Sequence, residues 1–72
     1  MKTYHFSATF DGCDIAHHGE FDTAFVNSED IKEKAKTVMR KRLIDWGFAP
    51  DDLIGFEVYN DERKTIFEWK KQ

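Results

Sequence analysis

Residues 27–50, NSEDIKEKAKTVMRKRLIDWGFAP, decide the fold because they carry every signal of an amphipathic helix. Asn27 or Ser28 is a good N-cap, and acidic residues follow in the first turns, where the helix dipole favours negative charge. Gly47 is a natural left-handed stop, and Pro50 prevents the helix from resuming. Apolar residues recur at helical spacing: Ile31, Ala35, Val38, Met39, Leu43 and Trp46. The stretch predicts one helix with a single apolar face.

The stretch before the helix predicts two antiparallel strands. Residues 3–10 alternate between polar and apolar side chains, which is typical of a strand buried on one face. A second strand is expected over residues 20–26. Pairing Phe6 with Phe25 places the apolar side chains of both strands on one face. That register predicts a loop over residues 12–19.

The stretch after the helix predicts a second hairpin, with strands over residues 53–59 and 64–70. Opposing Phe56 with Phe67 keeps the large apolar side chains together and leaves a four-residue turn. We therefore expect one α+β domain over residues 1–72, in the order ββαββ. One amphipathic helix is expected to pack on one face of a four-stranded sheet. The sheet is expected to be antiparallel, and a mixed sheet is the alternative. The helix is expected to cover Tyr4, Phe6, Phe10, Phe21, Phe25, Phe56, Phe67 and Trp69.

The composition indicates a small globular protein without a disulfide scaffold. The chain has 72 residues and is 40% hydrophobic, near the lower size limit for a chain that folds unaided. The single cysteine, Cys13, excludes an internal disulfide and favours a reducing compartment. The N-terminus lacks the apolar core of a signal peptide, and no apolar run approaches the roughly 18 residues of a membrane span. We expect a cytoplasmic protein that does not contact a membrane.

The sequence predicts no catalytic or metal site. Potential ligands cluster in or beside the first loop: Asp11, Cys13, Asp14, His17 and His18. A zinc site needs about four converging Cys or His ligands, and one Cys beside two adjacent His residues matches no usual pattern. No third residue is available to orient a nucleophile–base pair, and the isolated glycines form no phosphate loop. We expect a non-enzymatic protein without cofactor, metal or small-molecule substrate.

The charge distribution suggests one possible binding surface. The net charge is −3, but residues 29–46 carry +2 and the remainder carries −5. Lys36, Arg40 and Lys41 lie on the expected solvent side of the helix, where they could contact phosphates. Acidic residues interleave with them, and the pI of about 5.5 is far from that of typical nucleic-acid binders. Nucleic-acid binding is therefore the alternative hypothesis.

The outer sheet face suggests the leading hypothesis. Four apolar residues are expected on this face, which otherwise carries polar side chains: Val26, Leu53, Tyr59 and Ile66. An apolar patch rimmed by charge favours a protein contact, and an exposed edge strand offers another route to a partner or to a homodimer. The leading hypothesis is thus a protein-interaction or regulatory module that acts through the open face or an edge strand.

The order strand, Asn-Ser-Glu-Asp, helix, Gly-Phe, Pro-Asp-Asp, strand is similar in layout to many small α+β domains. Short stand-alone proteins of phages and mobile elements are among them. The likeness implies an accessory or regulatory role through binding. It is one of layout and size, so no functional residue is carried over.

Overall fold

A computed structural model describes residues 1–71 and contains one sheet with one helix on one of its faces. The elements are β1 (Lys2–Phe10), β2 (His17–Thr23), α1 (Ser28–Trp46), a short 3-10 turn (Pro50–Asp52), β3 (Leu53–Tyr59) and β4 (Thr65–Lys70). The strand order is β2-β1-β3-β4, and all neighbouring strands are antiparallel. The α+β class and the ββαββ order are confirmed. Strands β2 and β4 form the two edges of the sheet.

The helix begins and ends where the sequence predicts. The Asn27 side chain accepts a hydrogen bond of 2.8 Å from the backbone N–H of Glu29. Gly47 has a φ of 80°, and its N–H donates to the Leu43 carbonyl at 2.9 Å. Phe48 folds back onto the sheet, where its ring stacks on Phe10 at a centroid distance of 4.2 Å. No helix within residues 1–71 is long and apolar enough to cross a membrane.

The core lies between α1 and the covered sheet face, and β1 runs through its centre. The buried apolar residues are Tyr4, Phe6, Ala8, Phe10, Phe21, Ile31, Ala35, Met39, Leu43, Phe56 and Val58. From Tyr4 onward, every second residue of β1 belongs to this set, as its alternating pattern predicts. Burial of this set is the main contribution to stability that the fold offers.

The predicted register of the first hairpin is wrong by six residues. Phe6 lies opposite Gly19 rather than Phe25, and β2 begins at His17, inside the predicted loop. The Phe6 ring covers Gly19, where a Cβ would lie 2.6 Å from Cε2 of Phe6. Only glycine leaves room for that ring, which explains the pairing. Phe25 lies beyond the end of β2 and is 48% exposed, so it is not a core residue.

The predicted register of the second hairpin is wrong by two residues. Val58 pairs with Phe67, and the ladder shifts between Val58 and Tyr59, which marks a β-bulge. Asn60 explains the longer turn, because its side chain accepts hydrogen bonds from the N–H groups of Glu62 and Lys64, both at 2.9 Å. Since the shift is even, Phe67 and Trp69 stay on the predicted face, whereas the bulge places Thr65 opposite Tyr59 on the outer face.

Candidate functional site

The predicted apolar patch on the outer sheet face does not form. Val26 is 94% exposed, but it lies between β2 and α1 rather than on the sheet. Leu53 faces the helix side, and Ile66 packs against the buried core. The register shifts near these two residues explain the change, because a bulge reverses the alternation of side chains. Of the four predicted residues, only Tyr59 lies on the outer face.

The outer face is polar and acidic instead. The Tyr59 hydroxyl donates a hydrogen bond to Glu57, which lies directly opposite Glu68 on β4. This hydrogen bond, together with partial burial and the charges of the two carboxylates, raises the pKa of Tyr59 to about 12. Farther along the face, Nδ1 of His5 lies 3.7 Å from Oε2 of Glu20. An apolar partner has little to bind here.

A more distinctive site lies on the helix side, between α1 and the strands β3 and β4. We call it the β4 cleft, and its volume is about 250 Å³. Its apolar wall comprises Met39, Leu43, Leu53, Phe56, Phe67 and Trp69. Trp69 is 41% exposed although it was predicted as a core residue, because β4 is an edge strand with a neighbour on one side only. The cleft therefore exposes a large aromatic surface at the sheet edge.

Two cations of α1 line the rim of the β4 cleft. Nζ of Lys36 lies 5.8 Å from the centroid of the Phe67 ring and 3.8 Å from Oε1 of Glu33. Arg40 is exposed and forms no ion pair within residues 1–71. Lys41 is exposed and does not line the cleft. The structure thus brings together two of the three predicted phosphate-binding residues and separates the third.

The free edge of β4 runs beside this cleft. The backbone N–H of Lys71 donates to the Ile54 carbonyl at 2.9 Å. Because hydrogen-bonded and non-bonded pairs alternate along an antiparallel ladder, the pairs of Glu68 and Lys70 are non-bonded. The N–H and C=O groups of these two residues therefore point away from β3, toward the open edge. They are free to pair with another strand.

The opposite edge, β2, is partly covered. Nζ of Lys34 donates to the backbone carbonyl of Asp22 at 2.9 Å. The His17 ring packs against Trp46 and Phe48, with centroid distances of 5.0 Å and 5.2 Å. The Lys34 side chain thus engages one backbone carbonyl of β2, whereas no side chain within residues 1–71 hydrogen-bonds to the backbone of Glu68 or Lys70, which leaves β4 as the more accessible edge.

The potential metal ligands of the first loop do not converge in the part of the chain that the structure describes. No group of three or more His, Cys, Asp or Glu side chains converges anywhere in the described chain. The Cys13 thiol lies 3.4 Å from the Ile15 carbonyl and donates to it. His17 points into the aromatic cluster, whereas His18 is exposed.

Sequence reasoning found the cations of the site but missed its aromatic wall. Lys36 and Arg40 are four residues apart, which places them on one face of the helix. Trp69 is followed by Lys70 and Lys71, and lysines are common on edge strands. That signal could have identified Trp69 as an accessible residue.

Comparison with known proteins adds no further information. The chain matches no protein-family model, and no curated protein or solved structure matches it significantly. The fold and the site define a small α+β domain with one polar sheet face, one partly covered edge and one open edge beside an apolar cleft. What the protein does is inferred from that site.

Proposed function

We propose that this protein is a non-enzymatic interaction module that binds an extended segment of a partner protein as a fifth strand on β4. The observation that carries the proposal is the unpaired backbone of Glu68 and Lys70 beside the β4 cleft. In strand addition, backbone hydrogen bonds provide affinity and a neighbouring pocket selects side chains. We place this activity in the cytoplasm, which the free thiol of Cys13 supports.

The size of the cleft supports a peptide over a small-molecule ligand. Its volume of about 250 Å³ lies below the roughly 300–1,000 Å³ of typical small-molecule sites. A single large side chain fits such a volume. Trp69 adds an exposed aromatic ring, the kind of side chain that dominates binding energy at protein interfaces.

A second candidate function is binding of single-stranded nucleic acid. Lys36 and Arg40 lie beside Phe67 and Trp69, and such binders combine cations with aromatic stacking surfaces. The net charge of −3 and the separate position of Lys41 weaken this candidate. It predicts that a labelled oligothymidylate binds and is released steeply as salt rises. If the fluorescence anisotropy of the oligothymidylate does not change when the protein is added at low salt, this candidate function is excluded.

A proline substitution at the free edge tests the strand-addition proposal. Glu68→Pro removes an N–H that points outward, so the ladder with β3 loses no hydrogen bond. Glu68→Thr is the matched control, since it removes the same charge but keeps the N–H. Peptides are selected from a displayed random library on the immobilised wild-type protein. Amide exchange then locates their binding site.

We expect the selected peptides to protect the amides of Glu68 and Lys70 from exchange. Their affinity should fall about tenfold or more in Glu68→Pro and stay unchanged in Glu68→Thr, because the loss of an outward donor prevents one strand hydrogen bond and bends the edge. An unchanged circular dichroism spectrum of Glu68→Pro shows that the fold persists. Equal affinities for both variants, or protection confined to β2, would contradict the proposal.

A further inference from the structure

We infer that the strand bound at β4 is acidic on one face. It presents a bulky apolar side chain to the β4 cleft and, on the same face, two carboxylates that are two residues apart. This inference rests on the proposed strand addition and adds the chemistry of the partner. It follows from the charges around the cleft and from the geometry of a fifth strand.

The charges on the helix side of β4 are positive. Lys36 and Arg40 line the cleft, and no carboxylate does. Lys32 extends the series, with its Nζ 5.1 Å from the centroid of the same Phe67 ring that Lys36 contacts. Arg40 has no ion-pair partner in residues 1–71, so its charge is available to a ligand. Lys32 and Lys36 already pair with Glu29 and Glu33, so a carboxylate on this side would be attracted most strongly by Arg40.

The spacing of the cations matches a strand. Lys36 and Arg40 are one helical turn apart, which is a rise of roughly 6 Å. Alternate residues on one face of a strand are about 6.8 Å apart. The helix also runs along β4, since Lys36 lies over Phe67 and Arg40 shares the cleft with Trp69. Two carboxylates on one face of an added strand can therefore pair with the two cations.

The opposite face of an added strand meets a different environment. On the outer side of β4, Glu68 contributes a carboxylate, and Nζ of Lys70 lies 3.8 Å from its Oε1. Glu57 adds a second carboxylate from β3, directly opposite Glu68. Acidic side chains on that face of the partner would be repelled. The sheet thus selects carboxylates on one face of the partner strand only.

A second copy of the chain does not fit this description. The helix side of β4 carries Phe67 and Trp69 but no carboxylate. Pairing two β4 edges would bring the Arg40 side chains of both copies toward each other, and no carboxylate lines either cleft, which opposes association. The charges favour a different, acidic segment as the occupant.

Three synthetic peptides that differ only in charge test the inference. The acidic probe is acetyl-Thr-Phe-Thr-Glu-Thr-Glu-Thr-amide, whose glutamates are two residues apart, and glutamine or lysine replaces both glutamates in the other two. Calorimetry measures their affinities for the wild type at low and high salt. The same titrations use the double variant Lys36→Gln/Arg40→Gln. The control variant is Lys41→Gln, which removes a positive charge of the same helix outside the cleft.

We expect the acidic peptide to bind about tenfold more tightly than the glutamine peptide, from two partly solvated ion pairs. High salt and the double variant should each reduce its affinity to that of the glutamine peptide. The double variant should weaken binding of the acidic peptide far more than binding of the glutamine peptide, and Lys41→Gln should bind all three peptides like the wild type.

The outcomes separate this inference from the proposal on which it rests. Equal binding of the acidic and glutamine peptides, with both lost in Glu68→Pro, would leave strand addition intact and overturn the acidic preference. Tighter binding of the lysine peptide would overturn it as well. Failure of all three peptides to bind would contradict both proposals. A homodimer that Glu68→Pro converts to a monomer would identify a second copy as the occupant and overturn the inference.

Discussion

At the scale of single residues, the ionisation of Tyr59 makes the stability of the fold depend on pH. Its pKa is raised to about 12, first by the hydrogen bond to Glu57, then by burial and by the charges of Glu57 and Glu68. Folding therefore favours the neutral phenol, and this contribution is fully present below the unfolded pKa of about 10. It is lost as pH rises through 12. We expect the stability difference between the wild type and Tyr59→Phe to shrink over this range, as measured by urea unfolding.

A spectroscopic control isolates the phenol of Tyr59. The chain has two tyrosines, so a Tyr4→Phe protein reports the titration of Tyr59 alone by ultraviolet absorbance. Adding Glu57→Gln removes a charge but keeps a hydrogen-bond acceptor, and should lower the pKa toward the usual value. A phenol that already titrates near 10 in the Tyr4→Phe protein would refute the coupling.

Gly19 is a second residue whose identity the fold requires. An added Cβ would lie 2.6 Å from Cε2 of Phe6, and the Phe6 ring is fully buried and cannot yield. We expect Gly19→Ala to lower the free energy of unfolding by about 1–3 kcal/mol, the usual cost of overpacking. Urea unfolding measures the change.

Gly55→Ala is the matched control for Gly19→Ala. It introduces the same methyl group into a strand, but the nearest atom, Cβ of Thr9, is 3.6 Å away, which is an ordinary contact. Gly55→Ala should change the free energy of unfolding by less than about 1 kcal/mol. Similar losses in both variants would show that strand propensity, rather than the Phe6 contact, decides the cost.

At the scale of elements, the N-terminus of α1 depends on one side chain. The Asn27 side chain accepts from the N–H of Glu29 at 2.8 Å and satisfies one of the helix's unpaired donors. We expect Asn27→Ala to cost about 1 kcal/mol in the free energy of unfolding. Ser28→Ala, one position on, is the control and should cost less. Thermal unfolding followed by circular dichroism compares them, and equal losses would contradict the capping role.

The elements were predictable from the sequence, whereas their registers were not. The signals of α1 are local, since Asn27 and Gly47 act within one turn of its ends. Alternation in the strands specifies only which face a residue occupies, so registers that differ by an even number satisfy it equally. The contact between Phe6 and Gly19 and the bulge after Val58 decide among them. Both are tertiary features with little local signature.

The same limit applies to the candidate site. Lys36 and Arg40 could be identified because a helix converts their spacing into a shared face. Whether Trp69 is buried depends on the strand order, which places β4 at the edge. Strand order is set by packing across the whole sheet. The lysines after Trp69 indicate an accessible residue, but the cleft that Trp69 shares with Phe67 and Leu53 could not be derived from local patterns.

At the scale of the whole molecule, the sheet separates two charge environments. The outer face carries opposed carboxylates at Glu57 and Glu68, whereas the helix side of β4 carries Lys36 and Arg40. The Cα radius of gyration is 11.8 Å, near the value of about 11 Å expected for a compact chain of this length. So small a domain has a modest core, which makes its stability sensitive to a bound partner.

Ligand binding should therefore raise the melting temperature strongly. A ligand at one hundred times its Kd adds about 2.7 kcal/mol to the stability of the state that binds it. For a domain of this size, that corresponds to a rise of roughly 10 °C or more in Tm. We expect the acidic peptide to produce this rise in the wild type, with a logarithmic dependence on its concentration. At the same concentrations Glu68→Pro should show a much smaller rise and Glu68→Thr the full one, as followed by circular dichroism. Equal rises in the wild type and Glu68→Pro would place the peptide away from the β4 edge.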